Sequence, residues 1–169
     1  MLGILIKIFK ILNSESSPPQ IALAVALAAF VGLTPFLTLQ NLLIIIIVCL
    51  LRVNFTAFLL AWPLFFLLSF ILSPIIEQIG AMVLNNDGLQ AMWTSFYNSL
   101  TGRLSYFYST HTMGGFIVAL VLFAPVYLGV QLGVDKYRTT WAETISNTPL
   151  IKALKASKLI SKATQMYNG

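Results

Sequence analysis

The sequence predicts an all-α integral membrane protein: a broken helical hairpin, re-entrant or half-span, then two full spans, with interfacial amphipathic helices at both ends and in the outside loop. Three observations carry this expectation. Hydrophobic letters make up 58% of the 169 residues and charged letters only 9%, a mix that cannot coat a soluble domain with polar surface. Apolar stretches dominate residues 21–84 and 113–134. The first stretch begins with a segment too long for one span and carries a Gly-x-x-Pro break in its middle. One membrane domain over 15–134 is expected, between an interfacial helix at 1–14 and a basic cytoplasmic tail at 135–169.

The N-terminus, MLGILIKIFKIL, has the apolar character of a secretory signal, but Lys7 and Lys10 interrupt it and no small-residue cleavage pattern follows. At helical spacing Gly3, Lys7 and Lys10 gather on one narrow face, and Leu2, Leu5, Ile8, Phe9 and Leu12 occupy the rest. That pattern suits a helix lying in the membrane interface, or one packed on the protein's own cytoplasmic end.

Residues 20–51 form one apolar region that, as a straight helix, would be roughly 48 Å long at about 1.5 Å per residue. The hydrocarbon core is about 30 Å thick. Gly32-Leu33-Thr34-Pro35 resolves the excess: proline has no amide proton and its ring collides with the carbonyl of Val31, while Thr34 is pushed toward extended geometry. Two half-length helices are expected, about 20–34 and 37–51. The next run, 55–72, can just cross, with a kink at Pro63; Pro74 is expected to stop or redirect it, leaving 75–84 packed back or at the surface. Asn85-Asn86-Asp87-Gly88 is a turn and helix-start signal. Beyond it Trp93, Phe96, Leu100, Leu104 and Phe107 recur at helical spacing, with Tyr97, Tyr106 and Tyr108 nearby, an aromatic pattern that favours the headgroup region. Residues 113–134 form the last span. In the tail, Thr148-Pro149 starts a helix whose Lys152, Lys155, Lys158 and Lys162 form one stripe, suited to anionic lipid or to solvent.

Charge selects the topology. If 20–51 turns back on itself, Lys7, Lys10, Arg52, Lys136, Arg138 and the four tail lysines are cytoplasmic and only Arg103 is outside, nine of the ten basic residues. A single crossing would split them seven to three. Broken helix and charge rule therefore agree on both termini inside and 73–112 outside.

Few residues can carry chemistry. His111 is the only histidine and Cys49 the only cysteine, so disulfides, thiolate metal sites and nucleophile–base pairs lack partners within the chain. No catalytic, metal or cofactor site is expected, and no enzyme activity. Cys49 reads as a small buried hydrophobe, His111 as the start of the last span, and Glu77 as a solvated or capping carboxylate. The constellation to weigh is Thr34, Pro35, Thr38, Gln40 and Asn41, at and after the break at Gly32 and Pro35. Backbone that leaves the helix at membrane depth must be buried in protein or line a wet cavity. The polar side chains satisfy it, or they form a substrate site of the kind discontinuous transporter helices build. Ala24, Ala28 and Gly32 repeat every four residues, and Gly129 and Gly133 make a GxxxG step; close helix contact is expected on both faces, within the chain or between chains.

Ser17-Pro18-x-Gln20-Ile21-Ala22, then Gly32-x-x-Pro35, Asn41 and Leu51-Arg52-Val53-Asn54, covering about residues 5–80, resemble the bacterial membrane-protein family known as domain of unknown function two-thousand-and-sixty-two, especially a branch in marine and related Gram-negative bacteria. Many relatives have Asn-Pro in the second apolar run, where this chain reads Trp62-Pro63. The resemblance brings no established activity. It implies a bacterial inner-membrane protein, and the branch implies a larger envelope protein as partner. The expected role is a non-enzymatic module of envelope or lipid handling that meets membrane lipids, a homo-oligomeric copy or that partner, and no nucleic acid. The competing role is a small transporter or channel for a neutral or amphiphilic solute, with the broken hairpin as its pathway.

Overall fold

The computed structural model describes Ile8, Ile11 and residues 16–141. The expected helix at 1–14 with Lys7 and Lys10, and the tail stripe of Lys152, Lys155, Lys158 and Lys162, therefore lie outside the described residues or almost wholly so. In chain order the helices are α1 (Pro18–Leu33), α2 (Leu39–Leu50), α3 (Phe55–Leu84), α4 (Gln90–Asn98), α5 (Leu100–Ser105) and α6 (Thr110–Lys136). A 3₁₀ turn at Asp87–Leu89 precedes α4, and a π turn at Tyr137–Trp141 follows α6. Among the described residues there is no strand.

The sequence accounts for the ends of α1. Pro18 and Pro19 occupy its first turn, where missing amide protons cost nothing, and the Ser17 amide donates to Gln20 Oε1 at 2.9 Å. At the other end Thr34 is extended (φ −121°, ψ 159°), and Pro35 cannot supply the next amide. Thr38 is extended as well (φ −131°, ψ 152°), and α2 starts after it. With 16 and 12 residues, α1 and α2 are about 24 and 18 Å long at about 1.5 Å per residue. The two half-length helices expected from the Gly-x-x-Pro break are therefore present.

Hydrogen bonds fix where the hairpin returns. The Asn54 amide donates to the Gln20 carbonyl at 3.3 Å, and Asn54 Nδ2 donates to Ser16 Oγ at 3.0 Å. Residues 16–20 and 54 thus share one end of the bundle. Asn54 Oδ1 accepts the Ala57 amide at 2.9 Å and caps α3. From there α3 runs parallel to α1, so that Gly32 rests on the backbone of Trp62 and Phe66 and on the Phe65 side chain, with no room for a Cβ. α6 runs back antiparallel to both: Gly80 lies on the Thr110 carbonyl, Gly114 on the Ile76 carbonyl and Gly115 on the Leu33 carbonyl. Replacing Asn54 with alanine removes the cap and the tie to Ser16 together; a loss of about 1–2 kcal/mol is expected in unfolding titrations of the purified protein.

α1 is the inner helix. Ala22, Ala24, Ala26, Ala28 and Ala29 are fully buried, and Ala29, Phe30 and Leu33 form a core with Ile76 of α3 and Ala119 of α6. The Phe30 ring lies 5.5 Å from that of Phe116 and 6.2 Å from that of Phe123. An apolar helix without a polar face is stable only when surrounded, and α1 is. Among the described residues two helices are long and apolar enough to cross a membrane, Phe55–Leu84 and Thr110–Thr140. Their outward residues, among them Leu64, Leu67, Phe70, Ile71, Leu120 and Val121, are more than half exposed.

Four expectations are corrected. Pro74 does not end the second run: α3 continues for 30 residues to Leu84, past both Pro63 and Pro74, and 75–84 is its upper part rather than a segment folded back. Each proline removes one helical hydrogen bond, but the Ile76–Gly80 stretch is clamped against α6 by the glycine contacts, which outweighs the lost bond. Glu77 is accordingly helical. Gly129 and Gly133 meet nothing within 4 Å, so the close helix contact in this chain is made by Gly32, Gly80, Gly114 and Gly115 instead. Cys49 is exposed on the outward side of α2, whose inward face is Gln40, Asn41 and Val48. The outer aromatic segment is two helices rather than one: Ser99 separates α4 from α5, and Tyr106, left-handed at φ 59°, ends α5.

The chain divides into two units, Met1–Leu132 and Gly133–Gly169. The second, described to residue 141, holds the end of α6 and the π turn, in which Thr139 Oγ1 donates to the Asp135 carbonyl at 3.0 Å.

Candidate functional site at the hairpin break

The loop between α1 and α2 places apolar side chains outward and its polar backbone inward. Pro35, Phe36 and Leu37 are exposed, whereas Thr34, Thr38, Gln40 and Asn41 are buried. Asn41 Nδ2 donates to the Pro35 carbonyl at 2.8 Å and to the Phe36 carbonyl at 3.4 Å. The Thr34 hydroxyl shares its proton between the Phe30 carbonyl at 2.7 Å and Asn41 Oδ1 at 3.0 Å. Thr38 Oγ1 donates to the Pro35 carbonyl at 3.3 Å. One asparagine side chain thus serves the loop carbonyls that no helix can serve, and the threonines complete the set. A loop so satisfied can present apolar side chains to an apolar medium without stranding its peptide groups.

Gln40 is buried in the same region with neither amide atom paired. On the α3 side, Val31, Thr34, Phe36, Leu59, Trp62 and Phe66 line an open groove of about 470 Å³. Phe36 and Trp62 stack across it with ring centroids 5.0 Å apart. Pro63, where the sequence suggests a kink, lines the same groove within the continuous helix α3.

The structure therefore brings Thr34, Pro35, Thr38, Gln40 and Asn41 together with Gly32. Ala24 and Ala28 pack in α1 below them, while Gly129 is remote. The sequence reading missed Gly114 and Gly115, which bring α6 onto α3 at Ile76 and onto the end of α1 at Leu33. The Gly114-Gly115 pair at the start of the last span was the available signal, since small residues mark close helix approach.

A second cluster surrounds the outer helices. Trp93 stacks on Tyr97 at 5.9 Å, Phe96 meets Phe107 at 6.4 Å, and Phe107 meets Phe116 of α6 at 5.2 Å. Burial here raises the pKa of the Tyr97 phenol above its usual value. Close by, His111 Nδ1 stands 3.8 Å from Glu77 Oε1, which also accepts the Ser73 hydroxyl at 3.0 Å. His111 does open the last helix, on its first turn.

These features define a small helical protein with two apolar helices of membrane-crossing length built around a broken hairpin. The chain belongs to the bacterial family described as "Uncharacterized protein conserved in bacteria (DUF2062)", whose profile matches residues 6–142, so the likeness extends beyond the first helices through α6. A protein of Treponema pallidum (strain Nichols), described as an uncharacterized protein, is 27% identical over 139 residues, covering 82% of this chain and 86% of that one. No solved structure matches.

Proposed function

We propose that this protein is a non-enzymatic, multi-pass module of the bacterial inner membrane that supports envelope or lipid handling, with α1 and α2 as a re-entrant hairpin. The observation that carries this reading is the hairpin tip, whose Pro35 and Phe36 carbonyls are served by Asn41 and Thr38 while its apolar side chains face outward, and whose Gly32 lies against the first half of a membrane-length helix. Trp62 to Phe66 stand roughly 10–17 Å along α3 at about 1.5 Å per residue, near half the depth of a core about 30 Å thick. The apolar outer faces of α3 and α6 suit lipid rather than water. Arg52 lies next to Asn54, at the Ser16–Gln20 end, in keeping with the topology that leaves only Arg103 outside. Both termini are then cytoplasmic, and the basic tail faces anionic headgroups. The open Gly129 face supports association with a second copy or an envelope partner. The groove beside Trp62 favours a second reading, a pathway for a neutral or amphiphilic solute.

Cysteine accessibility tests the hairpin. In a Cys49→Ser background, cysteines at Pro18 and Val53 are expected to react with a membrane-impermeant thiol reagent from the cytoplasm, and one at Leu33 to react poorly from either side. Labelling of Val53 only from the periplasm would mean that 20–51 crosses once, and the hairpin reading would fall. Mass spectrometry of co-purifying proteins and lipids separates the module from the transporter: a stoichiometric protein partner favours the first, solute-dependent flux in vesicles the second.

A further inference from the structure

The groove at the hairpin break has one wall from α3 and one from the hairpin. Leu59, Trp62, Pro63 and Phe66 line it from α3, at spacings of three and four residues that place them on one helix face, and Thr34 and Phe36 line it from the hairpin. Phe36, Leu59 and Phe66 are each close to half exposed, so the groove is open to whatever surrounds the bundle. Its volume of about 470 Å³ lies within the range of small-ligand sites, roughly 300–1,000 Å³, and no charged side chain lines it. Counted from Phe55, the stripe on α3 runs from roughly 6 to 17 Å at about 1.5 Å per residue. With Asn54 at the cytoplasmic end, that stretch spans most of the cytoplasmic half of a hydrocarbon core about 30 Å thick.

The polar groups of the lining narrow the occupant. Thr34 commits its proton to the Phe30 carbonyl and Asn41 Oδ1. Trp62 is half-buried and stacks on Phe36, but its Nε1 donates to no atom among the described residues. An indole N–H taken out of water ordinarily has an acceptor, and hydrocarbon offers none. A helical side chain covers the turn N-terminal to its own Cα, which for Trp62 is the turn of Leu59, toward the cytoplasmic end. The ester carbonyls of the cytoplasmic leaflet lie in that direction, at the edge of the hydrocarbon. Resting on the reading of the hairpin as membrane-embedded, we propose that the groove holds one acyl chain of an ester-linked glycerolipid of the cytoplasmic leaflet, with Trp62 donating to its ester carbonyl. The apolar walls accept the chain, and the indole distinguishes an ester from an alkyl ether, which has no carbonyl. With no charge in the groove, the headgroup stays outside it.

The test uses the full chain in two kinds of nanodisc, one of diester and one of dialkyl-ether phosphatidylcholine. Each is doped with a trace of diester phosphatidylcholine that carries a photoreactive group midway along one chain. Crosslinks at Phe36, Leu59 and Phe66 are expected to be about fivefold stronger in the ether discs, where the bulk lipid competes without the carbonyl hydrogen bond. Leu64 and Leu67, exposed on α3, should crosslink equally in both discs and report bulk lipid. Trp62→Phe, which keeps a ring for the stack with Phe36, should erase the difference between the discs. Leu59→Trp, which fills the groove, should bring the crosslinks down to the level at Leu64. Equal groove crosslinking of the parent protein in both discs, as unselective filling by hydrocarbon would give, overturns the proposal. So does a groove crosslinked to a second copy or another protein in place of lipid. Thiol labelling of a cysteine at Val53 in a Cys49→Ser background separates the two readings. Cytoplasmic labelling with no difference between the discs defeats only the lipid site, whereas periplasmic labelling defeats the hairpin beneath it.

Discussion

Replacing Gly114 with leucine is expected to abolish the folded bundle, while the same replacement at Gly129 leaves it intact. Gly114 lies directly on the Ile76 carbonyl and close to the Gly80 amide, so a side chain there meets backbone rather than a yielding side-chain tip. Overpacking a tight interior costs about 1–3 kcal/mol when neighbours can shift, and backbone of two helices cannot shift without parting them. Gly114→Ala should therefore already cost about 3 kcal/mol. At Gly129 nothing lies within 4 Å of a Cβ. Unfolding by sodium dodecyl sulfate in mixed micelles, together with size-exclusion profiles, measures both variants. A Gly114→Leu protein as stable as the parent would mean that α6 does not cross α3 at this point. A Gly129→Leu protein that stays folded but loses a co-purifying subunit would place a partner on that face.

The second large effect is expected at Asn41. Changing it to leucine keeps the volume but leaves the Pro35 and Phe36 carbonyls without their donor and Thr34 without one acceptor. At about 1–3 kcal/mol for each stranded buried group, the loss should be roughly 3–5 kcal/mol, and amide exchange over residues 36–42 should rise sharply. Asn41→Asp should be nearly as damaging, because a carboxylate cannot donate to a carbonyl. Thr34→Val should cost about 1 kcal/mol, since only one hydroxyl proton is lost. A loss below about 1 kcal/mol for Asn41→Leu would show that water takes over its bonds and that the tip is wet.

The lengths of the apolar runs and the proline at the break determined much of this protein from the sequence alone. Residues 20–51 had to divide because proline at 35 has no amide to give, and Thr34, Thr38 and Asn41 had to lie beside the break because they are within seven residues of it. Local covalent chemistry fixes such features, and local sequence reports them. The fate of Pro74 was different. It reads as a stop, yet the helix continues, because Gly80 and Gly114 bring α3 and α6 into backbone contact that outweighs one missing hydrogen bond. Likewise Gly129 and Gly133 carry the small-residue spacing, but Gly114 and Gly115 make the contact; spacing marks a surface that can be approached, and only the paths of the other helices decide which surface is. The approach of Gly115 to the Leu33 carbonyl, across residues far apart in the chain, follows from the antiparallel passage of α6 along α1. No periodicity within either segment encodes it, because the distance between two helices is a property of what fills the space between them.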